Sequence, residues 1–205
     1  MTARDETERL EALWSGEFGN EYSKRNAEAE RGRQAFWVEL LAALRPVSVL
    51  EVGCNVGGNL RWITESVRGG VVAGVDVNLG ALRDLHARIP SARSIAGAGR
   101  HLPIADRAFD LVFTMGVLIH QPTESLSQVM SEVVRCSSRL VVCGEYHENE
   151  PTEVRYRGVH GALWKRDYGA EYLRLFPELS LLSRGFLAKG EGSWDDVTWW
   201  AFEKR

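Results

Sequence analysis

Residues with chemical potential cluster early, in Val47 to Ile63, VSVLEVGCNVGGNLRWI. An apolar run closes on Glu51, turns through Gly53, Asn55, Gly57 and Gly58, and then takes up helical periodicity. Strand, glycine turn and helix in that order build a pocket for a nucleoside-bearing cofactor. Gly53 and Gly57 let the backbone approach a ligand with no Cβ in the way. A second apolar run, VVAGVDV, carries Asp76 and Val77 at its end. Asp76 lies roughly 20 residues past the turn, where a carboxylate that accepts both hydroxyls of a ribose is expected.

These residues need strands that end together. Strand candidates are 47–52, 71–76, 92–96, 109–114 and 138–144, and helix candidates are 57–67, 79–88 and 123–135. Their alternation implies right-handed crossovers and a mainly parallel sheet. Upstream, Leu10, Leu13 and Trp14 recur at helical spacing, SGEFGNEYS interrupts, and a second helix is predicted from about Asn26 to Leu44, stopped by Pro46. Downstream, 179–189 and 196–204 read as a hairpin. The expected fold class is α/β: a Rossmann-like sandwich of mainly parallel sheet with a C-terminal antiparallel hairpin and an N-terminal helical lid, an arrangement that resembles class I methyltransferases. Residues 1–205 are expected to form one domain, divided into lid (1–45), cofactor-binding core (46–144), substrate-side segment (145–178) and hairpin (179–205).

That hairpin is more typical of methyltransferases than of nicotinamide dehydrogenases. Asn55, where a dinucleotide turn has its middle glycine, points the same way. The sulfonium cofactor S-adenosylmethionine has no pyrophosphate, so its amino-acid end can lie along the turn, with Glu51 accepting from its ammonium group. After the third strand many such enzymes place an acid; here Ala98 stands in GAGRHLP. Backbone groups at Gly97, Ala98 and Gly99 are then expected to meet the adenine, or Arg100 and His101 to cover it. Met115 and Gly116 close the fourth strand at the end where ligands bind.

Flanking segments hold further candidates. WSGEFGNEYSKRN reads as a lid, with Arg25 pairing to the cofactor carboxylate and Tyr22 and Asn26 as polar contacts. His120, after the fourth strand, is either a general base or a seal on the pocket. The long polar connection EYHENEPTEVRYRGVHGALWKRDYG offers Glu145 and His160 as proton acceptors. Its Tyr146, Tyr156, Arg157, Lys165 and Arg166 are candidates for binding the acceptor, the cations suiting a carboxylate or phosphate. In SWDDVTWWAF, alternation puts Trp199 and Trp200 on opposite faces, packing being the better reading for both.

A chain of 205 residues with 44% hydrophobic and 26% charged residues has enough apolar material for one full core. Its formal net charge of -3 disfavours a nucleic-acid partner, as does TMGV where a nucleic-acid methylase would carry an N/D-P-P-Y motif. Cys54, Cys136 and Cys143 define neither a metal site nor a disulfide framework, and reduced thiols in the cytoplasm are expected. The charged N-terminus has no secretory h-region and no run is long enough for a membrane span. The expected partner is a small-molecule substrate, the expected assembly a monomer or homodimer.

With these residues placed, the chain resembles class I S-adenosylmethionine-dependent methyltransferases through LEVGCNVGGNL, GVDVN and FDLVFTMGVLIHQP. It resembles more narrowly the small methylases associated with pseudaminic acid biosynthesis, through WSGEFGNEYSKRN, GEYHENEPTEVRYRGVHGALWKRDYG and DDVTWWAFEKR. The resemblance implies methyl transfer from S-adenosylmethionine to an oxygen or nitrogen of a small polar acceptor, a sugar or acidic metabolite among the options. The competing readings are a methyltransferase-like binding subunit without catalysis and a dinucleotide-dependent oxidoreductase.

Overall fold

The computed structural model describes residues 3–28 and 31–205. Three helices come first: α1 (Ala3–Ser15), α2 (Glu17–Arg25) and α3 (Gln34–Leu44). Then follow β1 (Ser48–Val52), α4 (Leu60–Ser66), β2 (Val71–Asp76), α5 (Leu79–Arg88), β3 (Arg93–Ala96) and β4 (Phe109–Met115). A short 3₁₀ turn (Leu118–His120), α6 (Thr123–Cys136) and β5 (Ser137–Glu145) complete the parallel part. The remainder comprises β6 (Thr152–Glu153), β7 (Trp164–Lys165), α7 (Tyr168–Leu175), β8 (Leu179–Leu187) and β9 (Val197–Lys204).

Seven strands form one sheet in the order β3-β2-β1-β4-β5-β9-β8. The first five are parallel; β9 runs antiparallel to both β5 and β8. The chain moves outward from β1 to β3 and then returns to β4 on the other side of β1. That reversal opens a crevice at the carboxyl ends of β1 and β4, where open α/β sheets bind ligands.

Both sheet faces are covered, so the central strands are near-continuous apolar runs. On one face Val49, Leu111 and Phe113 pack against Trp37, Leu60, Ile63 and Leu85 from α3, α4 and α5. On the other, Leu50, Val52 and Val112 meet Val129, Met130 and Val133 of α6 and Tyr168 and Tyr172 of α7. Glu51 shares the first face with Val49, so its carboxyl must be buried among the α3 and α4 side chains. Trp199 and Trp200 divide as alternation requires: Trp200 belongs to the α6–α7 face and Trp199 packs on the α3–α4 face.

Two local expectations are corrected. SGEFGNEYS does not interrupt helix; most of it is α2, separated from α1 by Gly16 alone. The helix expected from Asn26 begins at Gln34, because Gly32 sits at φ +82°, a conformation a right-handed helix cannot contain. Residues 29 and 30 of that stretch lie outside the described residues. The connection after β5 also holds structure that its polarity hid: a two-stranded ladder, β6–β7, and α7, whose N-cap Asp167 accepts from Ala170 N at 2.9 Å.

Candidate functional site

The corner after β1 is built by its glycines and by Asp76 together. Gly53, Asn55 and Gly57 all have positive φ, at +75°, +48° and +83°. A Cβ on Gly53 would lie 2.5 Å from the Val117 side chain, so the close approach there is to the turn after β4. Gly57 departs from expectation. Its missing Cβ faces Leu85 of α5 at 2.4 Å, and it is Gly58 that lines the crevice. The Asp76 carboxylate holds the corner from below: Oδ2 accepts from Asn55 N and Oδ1 from Asn78 N, each at 2.8 Å. Each oxygen keeps a further lone pair for a diol. Burial pushes the Asp76 carboxyl up, against the backbone amides that favour its charge.

Deeper in the same cavity lies a polar network on the α3–α4 face. Asn59 donates from Nδ2 to Glu51 Oε1 at 2.6 Å. Its Oδ1 accepts from Arg33 Nη1 at 3.0 Å and from Trp37 Nε1 at 3.1 Å. Two buried atoms of this network have no hydrogen-bond partner among the described residues, Glu51 Oε2 and Arg33 Nε. An unpartnered buried polar atom costs about 1–3 kcal/mol. Burial drives the Glu51 carboxyl up to about 8 and pulls the Arg33 guanidinium down.

The lid covers this network. Ser23 donates to Asn55 Oδ1 at 2.6 Å, and Asn20 Oδ1 accepts from Asn78 Nδ2 at 2.9 Å, so α2 is tied to the ends of both β1 and β2. Helix α1 brings Glu11 to the cavity wall, where Arg100 grips it through Nε at 2.6 Å and Nη2 at 3.0 Å. Arg100 is thus engaged with α1. Gly97 and Gly99 line the cavity, whereas Ala98 does not; it pairs with His101 in a tight turn.

A second cavity adjoins the first. Tyr22, Asn26, Arg33, Met115, Gly116 and His120 line both, so they form the wall the two share. His120 is buried, and its Nδ1 lies 2.6 Å from the Ala162 carbonyl, which requires Nδ1 to carry the proton and leaves the Nε2 lone pair open. Burial lowers its pKa to about 4. The folded protein therefore binds this proton more weakly than the unfolded chain, whose histidine titrates near 6.5. Stability from this group is complete above pH 6.5 and drains as pH falls towards 4. Thermal melts across that range should show His120→Gln losing less stability on acidification than the parent; equal slopes would mean His120 is not buried neutral.

The sequence candidates sort by place. Tyr22, Asn26, Glu51, Gly53, Asn55, Asp76, Val77, Gly97 and Met115 all line the first cavity. Arg25 lines only the second, beside Tyr146, Tyr156 and Arg157. Glu145, expected as a proton acceptor, is fully buried and lines neither cavity; it accepts from Val117 N at 3.3 Å and Ile119 N at 3.2 Å, holding the turn that presents His120. Burial raises its carboxyl to about 7. His160 lines neither cavity: its ring is 77% exposed and 3.6 Å from Glu153. Lys165 stands in the β6–β7 ladder, opposite Thr152. Arg166 is buried to donate to Gln121 O at 3.1 Å and Thr123 Oγ1 at 3.0 Å. Side-chain type identified these polar groups, but the register of β7 and the 3₁₀ turn after β4 decided which faced a cavity.

Arg33, Asn59, Glu11 and Ser23 were not singled out from the sequence. Arg33 precedes an amphipathic helix among several arginines, and Asn59 reads as an ordinary residue of the glycine turn. No periodicity marks either.

Strand order, corner and crevice together define the class I methyltransferase fold. Residues 49–139 match the family described as a methyltransferase domain. The methyltransferase GfsG of Streptomyces halstedii is 31% identical over 102 residues, covering 46% of this chain and 36% of that protein. The tRNA U34 carboxymethyltransferase of Pasteurella multocida (strain Pm70) is 35% identical over 105 residues, covering 46% of this chain and 32% of that one. The chain spans about a third of the length of these curated relatives. Among solved structures, the 1,6-didemethyltoxoflavin-N1-methyltransferase of Burkholderia thailandensis superposes with a TM-score of 0.72 at 16% identity, covering 97% of this chain and 90% of that one. The magnesium protoporphyrin IX methyltransferase of Synechocystis PCC 6803, solved with SAM bound, gives 0.70 at 14% identity, covering 98% and 97%. No described helix is long and apolar enough to cross a membrane.

Proposed function

We propose that this chain is a methyltransferase that binds S-adenosylmethionine in the first cavity and methylates an oxygen or nitrogen of a small polar acceptor in the second. One observation carries the reading: a buried acceptor without a donor, Glu51 Oε2, and a buried donor without an acceptor, Arg33 Nε, both in residues lining the cavity that Asp76 closes. A free α-amino acid group supplies the matching ammonium and carboxylate, and a nucleoside supplies the diol for Asp76. S-adenosylmethionine carries all three, whereas a nicotinamide dinucleotide has no amino-acid end. The carboxylate partner in this reading is Arg33 rather than Arg25. Glu11, held by Arg100, supplies an acid from α1 where Ala98 leaves none on the loop after β3.

When bound, the cofactor supplies an activated methyl group that needs no metal and no covalent enzyme intermediate. The residues of the shared wall then have two tasks. Tyr22, Asn26 and the aromatic roof of Trp14, Phe18 and Tyr156 exclude water; Trp14 lies 4.4 Å from the His120 ring and 5.2 Å from that of Phe18. Alignment of the acceptor by such a wall supplies ~7–11 kcal/mol of a bimolecular barrier. His120 Nε2 takes the proton the acceptor gives up, a contribution at the low end of ~10²–10⁴-fold because burial holds the ring at a pKa of about 4, well below neutral pH.

The narrower reading, a methylase of the kind associated with pseudaminic acid biosynthesis, is supported by the segments WSGEFGNEYSKRN and GEYHENEPTEVRYRGVHGALWKRDYG, which furnish the lid and part of the second cavity. An enzyme acting in the cytoplasm on a sugar or acidic metabolite accords with it. Parallel calorimetric titrations with S-adenosylhomocysteine and NADH test the cofactor. We expect saturable binding of the first only, and NADH binding with no S-adenosylhomocysteine signal would move the chain to the oxidoreductases. Transfer of a labelled methyl group to any member of an acceptor panel separates the enzyme from a binding subunit of the same fold.

A further inference from the structure

We infer that the acceptor is a small ring-bearing anion, its acid group held by Arg25 and Arg157 and its methyl-accepting hydroxyl or amine at His120. This rests on the second cavity being the acceptor site of the proposed methyltransferase, and it assigns that site a charge and a polarity of binding.

The charges lining this cavity are unequal. Arg25, Arg33 and Arg157 stand against a single carboxylate, Asp195. Asp195 is already engaged, accepting at Oδ2 from the Tyr146 hydroxyl at 2.8 Å. Arg33 is turned towards the cofactor side by Asn59 and stacks on Trp194, its guanidinium carbon 4.5 Å from the ring centroid. Arg157 has no acidic partner among the described residues, and Arg25 has only the nearby charge of Glu21, one turn back on α2, with no hydrogen bond or ion pair between them. Neither arginine lines the first cavity, so neither is needed for the cofactor.

Arg157 is not on a loose loop. The turn that carries it is closed by Tyr156 N to Val159 O at 3.2 Å and Val159 N to Tyr156 O at 2.9 Å. Its base is pinned inside the site, the Tyr156 ring lying 5.4 Å from His120 and 6.1 Å from Phe18. Arg157 itself is held at φ +48°, a conformation uncommon outside glycine, and Gly158 follows at +82°. Arg157 thus stands at the exposed tip of an anchored turn, lining the second cavity with its guanidinium carbon 5.9 Å from the Tyr156 ring centroid. A bare cation would meet two arginines here and be repelled. A ring is indicated by the flat faces of Tyr22, Tyr146, Tyr156 and Trp194. The charged end must lie away from the shared wall, since only His120, Met115 and their neighbours there touch both cavities.

Two matched pairs test this: 4-hydroxybenzoate against 4-hydroxybenzamide, and glucose 6-phosphate against glucose. Each is titrated calorimetrically into the protein with and without saturating S-adenosylhomocysteine. At least one anion is expected to bind about tenfold or more tighter than its neutral partner, as befits charged hydrogen bonds. Which pair shows the preference tells carboxylate from phosphate. The R25Q/R157Q double variant should lose the preference yet bind S-adenosylhomocysteine as the parent does. Equal binding of acid and neutral partner in both pairs, no binding of either anion, or a preference that survives in the double variant overturns the inference. A parent protein that fails to bind S-adenosylhomocysteine would instead sink the cofactor reading, and the titrations on ligand-free protein would still report on the anion site.

Discussion

Asp76→Ala should bring S-adenosylhomocysteine affinity down by at least about 100-fold, because two charge-assisted hydrogen bonds to a ribose diol at about 1.5–3 kcal/mol each are lost together. The effect is larger than a simple deletion of two contacts. In the folded protein the same carboxylate accepts from Asn55 N and Asn78 N, the amides on either side of the crevice. Without it the positive-φ corner at Gly53–Gly57 loses its tie to β2, and Asn78, which caps α5 and bonds the lid at Asn20, loses its own anchor. Asp76→Asn keeps one acceptor oxygen and should fall between parent and alanine variant. Far-ultraviolet circular dichroism and a thermal melt establish that the alanine variant is folded, and calorimetry then reads the affinity. Unchanged affinity in a folded Asp76→Ala protein would show that no ribose sits at the end of β2.

Glu51→Gln should make the ligand-free protein more stable and the cofactor complex weaker. Burial raises the Glu51 carboxyl to about 8, against near 4.5 in the unfolded chain. The folded state thus holds this proton more tightly than the unfolded state. Its stabilising contribution is complete below pH 4.5 and is lost as pH rises through 8. A glutamine has no charge to bury, so thermal melts at pH 8 and above should favour the variant, while the two proteins converge at acid pH. Binding reverses the preference. An ammonium at Glu51 Oε2 stabilises the carboxylate, so near pH 7 the parent should release close to one proton when it takes up S-adenosylhomocysteine. Titrations in buffers of different ionisation enthalpy measure that release. The variant should release none at this site, and its affinity should drop by about tenfold or more at pH 8. Identical proton release in both proteins would place the ammonium elsewhere.

These two carboxylates were legible in the chain because each lies at the carboxyl end of an apolar run. Glu51 is the penultimate residue of β1 and Asp76 the last of β2, and a parallel sheet brings strand ends into register, as Val52 opposite Val75 and Thr114 shows. The hairpin was equally legible, since alternation in 196–204 put Trp199 and Trp200 on opposite faces. The lid was legible only as a composition. SGEFGNEYS contains two glycines and read as a break, yet it folds as α2 because Gly19 is needed where α2 approaches the Trp14 carbonyl and the Asn78 side chain.

The polar segment after β5 shows the opposite limit. Tyr146, Tyr156 and Arg157 reach the second cavity, while Glu145, His160, Lys165 and Arg166 of the same stretch do not. Nothing in their types separates the two sets. Glu145 turns inward because its strand position faces the 118–120 turn, and Arg166 is consumed in tying that turn to α6.

Local pattern alone therefore determined the alternating architecture, the glycine corner and the two acids at the carboxyl ends of β1 and β2, because strand ends and turns obey near-neighbour rules. Only the tertiary structure decided that Arg33 and Asn59 join Glu51, that Arg25 faces the second cavity, and that His120 is a neutral ring with Nε2 open. Those outcomes depend on residues brought together from separate elements, whose burial and pairing sequence spacing does not encode.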